Sequence, residues 1–168
     1  MIRRVAYFGV LAGLVVAVCV GCDSAERGEK VDESLTWEDA KATTQDVMKE
    51  IADLVPADVV VGVEHQESGR LFSCDPVGHR WKGVATVTIQ PGTDIDAVVR
   101  EIEQAFNDDS RFEMSSRTDG GGAYELHLTS SESAEGYLVG ELGEETIQID
   151  GGSACFVLPD DVYPGGKF

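Results

Sequence analysis

The sequence predicts an α+β fold: two helices packed on one face of a five- or six-stranded, mainly antiparallel sheet. Two segments, 37–54 and 95–106, carry apolar residues at three- and four-residue intervals, the helical period. Several short segments instead alternate apolar with polar residues, as half-buried strands do. Beyond the second helical segment these strands follow one another with only turn residues between them. Such runs pair antiparallel, with one face on a core and the other in water.

Taken in order, Thr36 is placed to cap the first helix, and Asp39 three residues on forms an approximate capping box. Trp37, Ala40, Thr44, Val47, Met48, Ile51, Leu54 and Val55 make one apolar face, and Pro56 ends it. Val59–Val63 reads as a strand. Residues 67–80 hold Ser68, Gly69, Cys74, Pro76 and Gly78 and read as a loop. Val84–Gln90 alternates, with Ala85, Val87 and Ile89 on one face, until Pro91-Gly92 breaks it. Thr93 or Asp94 caps a second helix with Ile95, Val98, Val99, Ile102, Ala105 and Phe106 inward, stopped at Asn107-Asp108-Asp109. Arg111–Arg117 is a candidate strand, 119–122 a glycine turn, and Tyr124, Leu126 and Leu128 alternate. Tyr137–Leu142 and Glu145–Asp150 read as a hairpin across Gly143-Glu144, Ala154–Leu158 as a short last strand, and Pro159 onward as a tail.

Ahead of this domain, Arg3-Arg4 precedes an apolar run of 16 residues, Val5–Val20, stopped by Gly21, Cys22 and Asp23. A membrane-spanning helix needs about 20 residues, and a signal peptide needs a charged start and an apolar stretch of about 7–15, so length alone does not separate the two. The end of the run does. Val20-Gly21-Cys22 resembles the lipobox of bacterial lipoproteins, with Cys19 where that pattern usually has Leu. The resemblance implies cleavage after Gly21 and a diacylglycerol thioether on Cys22. Cys19 is the rival site, but Val18 before it is larger than the small residue such a site carries. The expected organisation is a signal peptide over 1–21, lipidated Cys22 with a flexible tether over 22–35, and a single α+β domain over 36–168. The polar, aperiodic DSAERGEKVDES is the tether.

The chain of 168 residues carries a formal charge of −18, and setting Arg3 and Arg4 aside leaves 11 basic residues against 31 acidic ones. A surface that acidic repels phosphate backbones and anionic lipid, which argues against a nucleic-acid partner. Membrane attachment is expected through the lipid, on the extracytoplasmic face of the cell membrane. The four cysteines divide by position: Cys19 and Cys22 end the apolar run, and Cys74 and Cys155 lie in the body. An exported chain meets an oxidising environment, where two remaining cysteines pair, so a Cys74–Cys155 disulfide is expected. The pieces "LFSCD", "GGAYELHL" and "SACFVLP" resemble small actinobacterial envelope lipoproteins of the LppA-like kind. That resemblance implies the same α+β fold and the same cysteine pairing, and it brings no catalytic residues.

His65, His79 and His127 lack the four-residue spacing of a zinc helix, and no Gly-x-Ser-x-Gly elbow is present. A Cys-His nucleophile needs a free thiolate, which a disulfide removes. Asp119-Gly-Gly-Gly lacks the Lys-Ser/Thr of a phosphate loop. The acidic pairs near Asp94, Asp108 and Asp160 lack the spaced ligands of a calcium loop. No catalytic residue, metal or cofactor is expected. The candidate contact is Arg80-Trp81-Lys82, a local basic-aromatic patch on an acidic chain. The expected function is that of a membrane-anchored envelope lipoprotein whose non-catalytic domain binds an envelope protein or small ligand. The alternatives are a small-ligand carrier with a cavity between helices and sheet, or an enzyme acting on cell-wall or lipid substrates.

Overall fold

A computed structural model describes residues 30–168. The expected signal peptide, the expected lipidation site Cys22 and residues 23–29 of the expected tether lie outside the described residues. Among the described residues no helix is long and apolar enough to cross a membrane.

The elements in chain order are β1 (Val31–Asp32), α1 (Trp37–Asp53), β2 (Val60–His65), β3 (Arg70–Ser73), β4 (Gly78–Ile89), α2 (Ile95–Ala105), β5 (Phe112–Thr118), β6 (Tyr124–Ser130), β7 (Gly136–Glu141), β8 (Thr146–Gly152) and β9 (Cys155–Val157). Both helices begin as their first residues dictate. Thr36 Oγ1 accepts from the Asp39 N–H (3.1 Å) and donates to Asp39 Oδ2 (2.8 Å), and Asp94 Oδ1 accepts from the Ala97 N–H (3.1 Å). Thr93 instead donates its hydroxyl to the Gln90 carbonyl (2.7 Å), so Asp94 is the cap of α2.

The strands form one sheet of nine, in the order β1-β9-β4-β8-β7-β6-β5, with β2 and β3 both paired to the remaining edge of β4. Every pairing is antiparallel except β1 with β9. The expectation of five or six strands is therefore too low. The strands absent from the expectation are β1 and β3, of two and four residues, whereas β9 falls within the expected Ala154–Leu158. The first two are too short to display an alternation of their own. Residues 67–80 are not a loop but a hairpin: Arg70 to Ser73 pairs with Lys82 to His79, and Asp75 Oδ1 accepts the Val77 (2.7 Å) and Gly78 N–H groups at its turn. β4 accordingly starts at Gly78, six residues before the expected Val84. β9 continues the line of β8 past a break at Ser153-Ala154. There the Ser153 N–H donates to the Trp81 carbonyl (2.9 Å) while Ser153 Oγ accepts from the Trp81 N–H (2.9 Å), so a side chain restores what the break interrupts.

Period-two alternation assigns the core to one face of the sheet. Ala85 and Val87 of β4, Ile147 and Ile149 of β8, Val139 of β7 and Leu126 of β6 share that face through their registers, and all are fully buried. α1 covers it over β4 and β8, and α2 covers it over β6 and β7. Gly151 sets how closely α1 approaches: a Cβ there would lie 2.4 Å from Met48 Sδ and 2.8 Å from Thr44 Cγ2. Two expectations about the ends change. Val31 and Asp32 of the tether pair with Cys155 and Phe156. The tail is docked rather than loose: the Phe168 N–H donates to the Gly69 carbonyl (3.2 Å), the Gly69 N–H donates back (2.6 Å), and the Phe168 ring meets Trp37 edge-on at 5.2 Å.

Cys74 and Cys155 are joined in a disulfide, with Cα atoms 6.3 Å apart and a sequence separation of 81. The bond ties the β3–β4 turn to β9, and Cys155 is fully buried.

Candidate binding site

The same alternation that buries Ala85 and Val87 turns Arg80, Lys82 and Val84 to the opposite face of β4. No helix lies on this face among the described residues, and a cleft of about 770 Å³ occupies it. Its walls come from paired strands. Arg70 stands opposite Lys82 and Phe72 opposite Arg80 on β3, Asp150 stands opposite Val84 on β8, and Leu138 of β7 stands opposite Asp150. His127 and Thr129 of β6 close one side, and Gln66, Ser68 and Gly69 close the other. The docked tail adds Lys167 to the rim, because Phe168 beside it is pinned to Gly69.

Of the expected contact patch, Arg80 and Lys82 line this cleft and Trp81 does not. Trp81 is fully buried on the helix side, where its indole N–H donates to the Phe168 backbone oxygen (3.3 Å). A Cβ at Gly83 would lie 2.0 Å from the Trp81 ring, so only glycine leaves the indole its place. Consecutive residues of a strand point to opposite faces, so a three-residue patch on one surface is not available to β4. The aromatic neighbour of the cations is Phe72, half exposed, with Lys82 Nζ 5.3 Å from its ring centroid.

The charge of the cleft opposes that of the chain. Arg70, Arg80, Lys82 and Lys167 are four of the 13 Lys and Arg in a chain with net charge −18. Asp150 is its one lining carboxylate, and its Oδ2 accepts from Gln148 Nε2 (2.7 Å). Arg80 is half-buried, and loss of hydration pushes its guanidinium below the ordinary arginine value. His127 Nε2 is shielded from solvent and 3.9 Å from Glu125 Oε2, too long for a hydrogen bond. Glu125 Oε2 is held instead by Arg117 Nε at 2.7 Å.

A second hollow, of about 580 Å³, is lined by Asp94, Asp96, Asp119, Glu141 and Glu144. Three of these carboxylates serve the backbone. Asp94 caps α2, Asp96 Oδ1 accepts from the Tyr124 N–H (2.9 Å), and Asp119 Oδ1 accepts from the N–H groups of Gly121 (2.7 Å) and Ala123 (2.9 Å). Those bonds, Ala123 foremost, hold the Asp119 carboxyl below the usual range. Among the described residues no group of three or more His, Cys, Asp or Glu is placed to hold a metal ion. The three histidines stand on β2, β4 and β6.

Arg70, Phe72, Leu138, Asp150 and Lys167 are cleft residues that the sequence reading missed. The alternation of β7 and β8 was enough to place Leu138 and Asp150 on the outer face. Arg70 and Phe72 fall in a segment dominated by turn residues, and Lys167 reaches the cleft only through tail docking.

Fold and site together define an α+β domain with one face sealed by helices and the other open, cationic at its hollow. No protein-family model matches the chain, and no curated protein matches it. A crystal structure of a DUF4853 family protein from Actinomyces odontolyticus is similar over 79% of this chain and 77% of that chain, at 15% identity and a TM-score of 0.41.

Proposed function

We propose that this chain is an envelope lipoprotein, anchored to the cell membrane through lipidated Cys22, whose domain binds an envelope component in the open-face cleft without transforming it. The observation that carries the reading is the cleft itself: about 770 Å³, walled by five strands, on the face that the helices leave uncovered. That volume falls within the range of ligand sites, about 300–1,000 Å³. A carrier with its cavity between helices and sheet is disfavoured by that interface, where Ile51, Val99, Ile102, Ile149 and Val139 have no exposed surface. Catalysis is disfavoured by the cleft's composition, in which long-stemmed cations predominate and Asp150 is engaged by Gln148.

Two measurements test the reading. Cys22→Ala should leave an uncleaved precursor or move the protein from membrane to soluble fractions; unchanged anchoring of a processed protein sinks the lipoprotein assignment. A photoreactive side chain installed at Leu138, within the cleft, should yield a discrete adduct in intact envelopes. The same group at exposed Glu101 on α2 is the control. Equal labelling at both positions rules out the cleft.

A further inference from the structure

We infer that the cleft takes a small organic anion with an apolar body: its carboxylate, sulfate or phosphate group meets Arg70, Lys82 and Lys167, and its apolar part lies over Phe72, Val84 and Leu138. The inference rests on the cleft being the binding site and adds the class of ligand.

Three observations carry it. First, the cations converge. Lys82 is exposed on the open face of β4 and lines the cleft. Arg70 is the cross-strand partner of Lys82, with Cβ atoms about 5 Å apart at such positions. Lys167 reaches the same rim from the tail. Second, Arg70, Lys82 and Lys167 are like charges brought to one cleft, and an anion among them relieves their mutual repulsion. On a chain of net charge −18 with 31 acidic residues, the arrangement is against the average rather than a sample of it. A concave wall also focuses the field, so an anion is drawn to the cleft and away from the acidic remainder. Third, the floor is apolar as well as charged. Val84 and Leu138 are half-buried on the open face, and Phe72 is 49% exposed. A bare inorganic anion leaves those side chains wet; an amphiphilic one covers them. The volume admits a small molecule rather than a folded partner.

The test uses anilinonaphthalene sulfonate, an aromatic sulfonate whose fluorescence reports an apolar site, and phenylnaphthylamine, its uncharged counterpart. The protein binds the sulfonate at one site, with affinity falling as ionic strength rises. Lys82→Gln/Lys167→Gln changes two exposed side chains and weakens that binding about tenfold or more, and the uncharged dye binds the wild type more weakly by a similar factor. Inorganic phosphate at matched concentration does not displace the dye. Leu138→Trp, or Thr129→Trp should the first misfold, fills the cleft and removes both dyes. The anion inference is overturned if the double glutamine variant binds the sulfonate as the wild type does, if the uncharged dye binds as tightly, or if phosphate displaces the dye outright. In those cases a tryptophan-blocked cleft still stands as a binding site. Should both tryptophan variants keep their dye, the cleft is not the site and the two readings fall together.

Discussion

The Cys74–Cys155 bond closes a loop with 81 residues of sequence separation, and its removal is a quantitative test of the fold described above. In the chain-entropy treatment a loop of that size restricts the unfolded chain by about 15 cal/mol/K, or roughly 4.5 kcal/mol at 25 °C. The perturbation is Cys74→Ala/Cys155→Ala, compared with reduced and alkylation-free wild type. Reduction removes the covalent link alone. The alanine pair also removes the buried Cys155 sulfur, which costs about another 1 kcal/mol. For a domain of this size each kcal/mol moves the melting temperature by about 4 °C, so the reduced protein melts on the order of 15 °C lower. Guanidinium unfolding followed by tryptophan fluorescence supplies the free energies. Denatured, unreduced protein should expose no thiol from Cys74 or Cys155 to an alkylating reagent. It is refuted if oxidised and reduced proteins unfold within about 0.5 kcal/mol of each other, since the loop-closure term is then absent.

Two further outcomes follow from packing and charge. Gly151→Val drives a side chain into Met48 Sδ and Thr44 Cγ2, costing about 1–3 kcal/mol in urea unfolding. Met48→Ala should restore part of that loss in the double variant, and simple additivity of the two changes contradicts the contact. Acid stability depends on Asp109 and Asp119, whose carboxyls are held below the ordinary range, the first by hydrogen bonds from Arg111 and the second by the Ala123 and Gly121 amides. In the unfolded chain both protonate near about 3.9. Their contribution is complete above that value and is lost as pH falls toward the lower folded-state values. Circular dichroism from pH 5 to 2 should show a shallower loss of stability in Asp109→Asn than in the wild type; identical slopes would remove Asp109 from the account.

How much of this was readable from sequence depends on what each residue's environment repeats. α1 and α2 were readable because Ala40, Val47, Met48 and Ile51, and Val98, Val99 and Ile102, meet one continuous core, and Thr36 and Asp94 cap them locally. β6 and the core half of β4 were readable for the same reason at period two. β3 was not, since neither face of Arg70–Ser73 is deeply buried and its neighbours are turn formers. β1, of two residues, is shorter than the pattern needed to recognise it, whereas β9 lies within the short last strand expected over Ala154–Leu158. The candidate site was half readable. Arg80 and Lys82 stood out as a local excess of charge, but the identity of Trp81 as a core residue required only the alternation already used for Ala85 and Val87. Lys167 joins them by a long-range contact between Phe168 and Gly69, which no local pattern encodes.

The parallel pairing of β1 with β9 has a mechanical side. A pull on the chain at residue 30 reaches Val31 and Asp32 first, and these lean on Cys155 and Phe156. β9 cannot follow, because Cys155 is covalently fastened to Cys74. The two-residue ladder therefore yields while its support holds. Its release pays out the six residues ahead of α1, no more than about 20 Å of slack, before tension meets the Thr36 cap. β1 is in that sense a fuse: a sacrificial link that absorbs a tug on the N-terminal side and resets by re-pairing, leaving the sheet and its cleft unloaded.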